Sequence, residues 1–68
     1  MQIIDARGLS CPEPVILTRQ AMASGAASYQ VIVDNNTSKE NVTRYAHHQG
    51  YEVTIREQDV EYTLLISK

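Results

Sequence analysis

The sequence predicts an α+β domain, a two-layer sandwich in which two helices cover one face of a four-stranded mixed sheet. Three observations predict it. Stretches of strand and helix character follow one another in the order strand, helix, strand, helix, strand, strand. Three of the four strand stretches alternate apolar with polar residues, whereas strands covered on both sides read as continuous apolar runs. One sheet face is therefore expected to be wet, with both helices packed on the other. Right-handed crossovers make the first three strands point the same way, and the last returns antiparallel. Sixty-eight residues suit one domain spanning 1–68, which buries only about 60% of its unfolded surface and has little room for an enclosed pocket.

Taken in order, Gln2-Ile3-Ile4-Asp5 reads as a short strand by its β-branched content. The chain turns at Gly8 and enters a helix at Pro12, because proline is tolerated in a first turn that lacks N–H partners anyway. This helix is expected to reach about Ser24, with Gly25 as its stop. Val15, Thr18, Ala21 and Met22 form its apolar stripe, while Ile16 and Ala23 fall on the other side. Ile16 has two readings. Either a tilted helix start lets it reach the core, or Ile16 or Leu17 is exposed beside Cys11 as part of a docking surface.

From Tyr29 to Asp34 the chain alternates, with Tyr29, Val31 and Val33 on one face and Gln30 and Asp34 on the other, as in a half-buried strand. Asn35-Asn36 turns the chain, and Thr37-Ser38-Lys39-Glu40 fits a capping box with Thr37 at the N-cap. The second helix places Val42, Tyr45, Ala46 and Gln49 on one face and ends at Gly50. Tyr51-Val53-Ile55 and Val60-Tyr62-Leu64-Ile66 then form a hairpin joined by Glu57-Gln58-Asp59.

The chemistry is concentrated in Asp5-Ala6-Arg7-Gly8-Leu9-Ser10-Cys11-Pro12-Glu13-Pro14, which holds the only cysteine and both prolines. Cys11 is expected at or just before the N-cap, where unpaired N–H groups and the helix dipole stabilise a thiolate, lowering its pKa by roughly one unit. Glu13 opposes that shift, and Arg7 supports it if the loop folds back. The bland alternative is a small buried hydrophobe, the common fate of an unpaired cysteine.

A formal charge of −2 with scattered basic residues argues against binding nucleic acid by neutralising phosphates. One cysteine rules out an internal disulfide. With no signal peptide and no long apolar run, a soluble cytoplasmic protein without a membrane partner is expected. His47 and His48 are adjacent and diverge by about 100° on a helix, so no metal is expected there.

The pattern Asp5-x-Arg7-Gly8-Leu9-x-Cys11-Pro12-x-Pro14, followed by an apolar helix and this order of elements, resembles the TusA/SirA/YedF family of small sulfur-carrier proteins across essentially the whole chain. Val33-Asp34-Asn35 and Asn41-Val42 are similar to the YedF-type branch associated with selenium metabolism, where such a domain usually precedes a DsrE-like domain. The chain would then be the N-terminal part of a longer protein. The resemblance implies that Cys11 is the catalytic residue and takes up sulfane sulfur as a persulfide. The donor would be a cysteine desulfurase or rhodanese-like protein, and the acceptor another protein, with a DsrE-like domain as one candidate. It implies no resident cofactor beyond the transient persulfide.

By family position Arg7 and Arg19 are candidates for contacts to the persulfide or to an acidic partner, with ordinary solvated or salt-bridged arginines as the alternative. Ile16 joins them as a candidate partner contact. Asp5 is expected to fix the loop by accepting backbone hydrogen bonds and Gly8 to supply a positive φ, with Pro12, Glu13 and Pro14 completing the motif. The alternative function is a noncatalytic interaction or regulatory module that docks through the CPxP turn.

Overall fold

The computed structural model describes residues 2–10 and 12–68. Its elements are β1 (Gln2–Asp5), α1 (Glu13–Met22), β2 (Ser28–Val33), α2 (Asn36–His48), β3 (Glu52–Gln58) and β4 (Glu61–Ser67), in the predicted order. The strands lie side by side as β1-β2-β4-β3. β1 is parallel to β2, and β4 is antiparallel to both β2 and β3. The first three strands therefore share one direction, and the last in sequence is inserted between β2 and β3.

The alternation decides which face is buried. Tyr29, Val31 and Val33 of β2 and Leu64 and Ile66 of β4 are sealed under the helices. Their neighbours Gln30, Ile32 and Leu65 face the open side and are only half-buried. Across the sheet the buried face runs in rows, Ile4–Val31–Leu64–Ile55 and Tyr29–Ile66–Val53. Each fully buried aliphatic side chain contributes about 1.5–3 kcal/mol, so the two inner strands dominate the core. Tyr51, just before β3, meets Tyr29 edge-to-face with ring centroids 5.9 Å apart.

Helix α1 ends two residues before the predicted Ser24, and Gly25 (φ 77°) then turns the chain toward β2. Its deepest residues are Pro14, Thr18 and Ala21, with Val15, Leu17 and Met22 packed half-buried beside them. Proline at position 14 thus belongs to the core as well as to the helix start. Thr18 tolerates full burial because its hydroxyl donates to the Pro14 carbonyl at 2.9 Å.

Helix α2 departs from the capping-box reading. The N-cap is Asn35, whose Oδ1 accepts from the Ser38 N–H at 2.8 Å. Thr37 is already inside the helix, and Glu40 accepts from Asn36 Nδ2 at 3.0 Å. Asn at the N-cap is at least as effective as Thr, so the cap moved two residues toward the strand. The buried face is Ser38, Val42 and Ala46; Tyr45 is half-buried and Gln49 is an exposed C-cap.

The hairpin also differs from expectation. Gln58 pairs with Glu61, leaving a two-residue turn of Asp59 and Val60. Asp59 has φ 56°, the sign that tight hairpin turns require. Val60 therefore sits in the turn at 76% exposure and does not begin β4.

Candidate functional site

Because β1 and β2 are parallel neighbours, the loops that follow them leave the sheet at the same end. Carboxyl ends of parallel strands are where open α/β sheets place their sites. The loop after β1 carries the CPxP run, and the loop after β2 begins at Asp34. The two are tied together. Gly8, at φ 78°, directs its N–H to Asp34 Oδ2 at 2.7 Å, and Ala6, fully buried, donates to the Ile32 carbonyl at 2.8 Å. The positive φ expected of Gly8 is present.

Asp5 fixes the same loop. Its Oδ1 accepts from the Arg7 N–H at 3.1 Å and from Arg7 Nε at 2.9 Å, while Oδ2 pairs with Arg7 Nη2 at 2.8 Å. The Arg7 hydrogen bonds hold the Asp5 carboxyl down at about pKa 2. The same partners, Asp5 first and then Glu61, raise the Arg7 guanidinium further above its already high value. Arg7 Nη1 reaches Glu61 Oε2 at 3.1 Å, at the start of β4. Both pairs are about half-exposed, so they position the loop more than they stabilise the fold. Arg7 is thereby held by two carboxylates; the expectation that it lends positive charge to the sulfur falls on Cys11, outside the described residues.

Helix α1 begins with Pro12 at the N-cap, and the peptide bond to Pro12 ties Cys11 to this helix end. Cys11 lies outside the described residues, and so do the expectations about its exposure and thiolate. The surrounding donors can be counted. Pro12 and Pro14 have no N–H, the Glu13 N–H is given to the Ser10 carbonyl at 2.9 Å, and the Ile16 N–H to the Pro12 carbonyl at 3.1 Å. At most one first-turn amide, that of Val15, is left to face an anion. Among the described residues, the prolines that start the helix leave its tip with few free donors. Glu13 is exposed in that turn, adding a negative charge.

Ile16 is half-buried but is not among the residues packed on the core, and Arg19 is exposed with no ion pair among the described residues. Both remain accessible on α1 within two turns of Pro12. Beside them lies an open groove of about 360 Å³, lined by Pro12 and Val15 of α1 and by Asn41, Arg44, Tyr45 and His48 of α2. Its floor is largely apolar, with Arg44 and His48 as cationic or ionisable groups at its edge. Sequence reasoning does not assign this α2 side to the site: it places Tyr45 on the packing face of the helix and singles out Asn41 and His48 for other reasons. Asp34 and Glu61 were missed too. The signal that points to them is topological: parallel β1 and β2, with β4 antiparallel, bring Asp5, Asp34 and Glu61 to one end. Among the described residues, no cluster of three or more His, Cys, Asp or Glu side chains could hold a metal ion. Nor is any helix among them long and apolar enough to cross a membrane.

The chain matches the family model described as Sulfurtransferase TusA over residues 2–68. It is 30% identical over 71 aligned positions to a protein of Methanocaldococcus jannaschii named as a candidate sulfur carrier, spanning all of this chain and 95% of that one. It is also 30% identical to the sulfur carrier protein TusA of Pseudomonas putida, covering 84% of this chain and 74% of the relative. The crystal structure of a SirA-like protein from Desulfitobacterium hafniense superposes with a TM-score of 0.90 at 37% identity, covering 98% of this chain and 96% of that one. A full-length family match, two sulfur-carrier relatives and a near-complete structural superposition agree with the CPxP loop and the two-layer architecture: the chain belongs to the TusA family of sulfurtransferases.

Proposed function

We propose that Cys11 carries sulfane sulfur between two proteins as a persulfide. In the loading step the Cys11 thiolate attacks the terminal sulfur of a donor persulfide. The Cys11–sulfur bond forms, the donor's S–S bond breaks, and the donor leaves as a thiolate with the transferred sulfur still bearing its proton. In the unloading step an acceptor thiolate attacks the terminal sulfur in the same way and Cys11 is released as a thiolate. Bonds and charge balance at each step, so neither step consumes an oxidant or a reductant.

The observation that carries this reading is the placement of the CPxP run. A chain of the TusA family has its only cysteine joined to the cap of a helix that opens beside an apolar groove. That groove offers a partner's loop an apolar floor at the Pro12 end of α1, with Arg44 and His48 to meet acidic groups. Ile16 and Arg19 extend the same surface along α1. A persulfide is a stronger acid than a thiol, so the loaded form is anionic without help from helix-end amides, consistent with a tip that has few donors. The donor we propose is a cysteine desulfurase or rhodanese-like protein, and the acceptor a thiol-bearing protein such as a DsrE-like domain. Selenium is the alternative cargo, suggested by the Val33-Asp34-Asn35 and Asn41-Val42 stretches.

Intact mass after incubation with a cysteine desulfurase and cysteine tests the proposal. The expected result is a gain of one sulfur atom that a reductant removes and that is absent in Cys11→Ser. An unmodified chain beside an active donor would overturn it in favour of a noncatalytic docking module. Loading in competition with a selenium source decides the cargo.

A further inference from the structure

Strand β3 lies at the rim of the sheet and pairs with β4 alone among the described strands. Which of its backbone groups face outward follows from the ladder. The Lys68 N–H donates to the Ala27 carbonyl at 3.3 Å, so even-numbered residues of β4 aim their backbone groups at β2 and odd-numbered ones at β3. Their partners in β3 are Glu52, Thr54, Arg56 and Gln58. The backbone groups of Val53, Ile55 and Glu57 therefore point away from the sheet.

An antiparallel second copy of β3 can bond to these groups only in registers that set odd residues against odd ones. Centred on Thr54, the pairing sets Glu52 opposite Arg56 of the other copy, and the two-fold axis repeats the pair. The same register puts Thr54 against its own counterpart on the open face and Val53 against Ile55 on the helix-covered face. Ile55 is otherwise 42% exposed. Shifted registers lose the match: centring on Ile55 sets Val53 against Glu57, centring on Val53 leaves Glu52 against Thr54, and centring on Arg56 sets that charge against itself.

We propose that β3 pairs with β3 of a second copy of this chain in the Thr54-centred register, joining two sheets edge to edge. The occupant is argued from charge complementarity, from the parity of the outward backbone groups and from the exposed Ile55. One strand pair buries a modest area, so the dimer is weak and reversible. Helix α1 lies over β1 and β2, toward the opposite rim, and pairing through β3 leaves the Pro12 end and its groove free. The inference is independent of whether Cys11 carries sulfur.

Analytical ultracentrifugation of the full chain from about 10 μM to 1 mM tests it, a range that brackets weak self-association. The expected result is a concentration-dependent monomer–dimer equilibrium that high salt weakens. Arg56→Glu and Glu52→Arg each place like charges opposite one another and are expected to weaken the dimer by about tenfold or more. The swapped double variant Glu52→Arg/Arg56→Glu restores it, and so does an equimolar mixture of the two single variants, in which every charge again meets its opposite. Both positions are exposed on the open face, and circular dichroism verifies that each variant is folded. A chain that stays monomeric across the range would overturn the proposal. So would folded single variants that dimerise like the wild type, or a swap that fails to recover association.

Discussion

Glu13 is the nearest charged side chain in sequence to Cys11, and its removal tests how the start of α1 controls the thiol. Two chain steps set the Cα atoms at most about 7 Å apart, which gives the scale of the charge separation. At that separation in water, unit charges interact by about 0.6 kcal/mol, which is about 0.4 of a pH unit in a titration. Glu13→Gln is therefore expected to lower the midpoint of the Cys11 alkylation rate against pH by about 0.4 unit at low salt, and by less at about 1 M salt, where the Debye length is roughly 3 Å. Iodoacetamide labelling followed by intact mass reads the rate, and Glu57→Gln, on β3, serves as a control with no shift. A midpoint unchanged or raised in Glu13→Gln would refute the charge argument. The same curve tests the count of amides. With two prolines and a Glu13 N–H engaged by Ser10, the wild-type midpoint is expected near the ordinary cysteine value, and a midpoint a full unit below it would show that helix-end donors do reach the sulfur.

Other consequences are as concrete. Asn35→Ala removes the α2 cap and is expected to cost about 1 kcal/mol, lowering Tm by about 4–8 °C for a domain of this size; Thr37→Ala should change Tm far less, and the reverse ranking would return the cap to Thr37. Gly8→Ala meets no atom within 4 Å, so its cost is the left-handed backbone alone, about 1–2 kcal/mol by urea denaturation, with slower loading of Cys11 in the desulfurase assay as the loop loses its fixed shape. Asp5 has a folded pKa of about 2 against 3.8. Since that value is depressed, its stabilising pairing is present above the unfolded value and is lost as pH falls from about 4 through 2. Carbon-detected NMR should find the Asp5 carboxyl titrating near 2 in the wild type and higher in Arg7→Gln, short of 3.8 because the backbone N–H of residue 7 still donates to it.

Much of this architecture was legible from local chemistry. Gly8, Gly25 and Gly50 marked the ends of elements because each carries a positive φ, and the period-two alternation of Tyr29, Val31 and Val33 identified the buried sheet face before any packing was known. What local pattern could not supply was position across the sheet. β3 and β4 alternate alike, and only pairing reveals that β4 sits inside and β3 at the rim. The cap of α2 was misplaced because Thr37 and Glu40 fit a familiar spacing, while Asn35, read as a turn residue, offers its carbonyl oxygen two residues earlier. Val60 looked like a strand residue by hydropathy, yet the tight turn between Gln58 and Glu61 claims it. At the site, Asp5 and Gly8 were readable because their roles are local. Asp34, Glu61 and the α2 wall of the groove were not, since each meets the CPxP loop only after the chain has crossed the sheet.

The interior position of β4 has a bearing on how the domain is made. Strand β3 has no neighbour until residues 61–67 are in place, so a nascent chain that has just cleared the ribosome through α2 holds only the parallel β1–β2 pair. The half-finished sheet keeps the edge of β2 open to chaperones or to other chains until β4 slides between its two elder neighbours. Translation that stalls shortly before residue 61 would release a molecule missing its keystone, with the rim strand left unmoored.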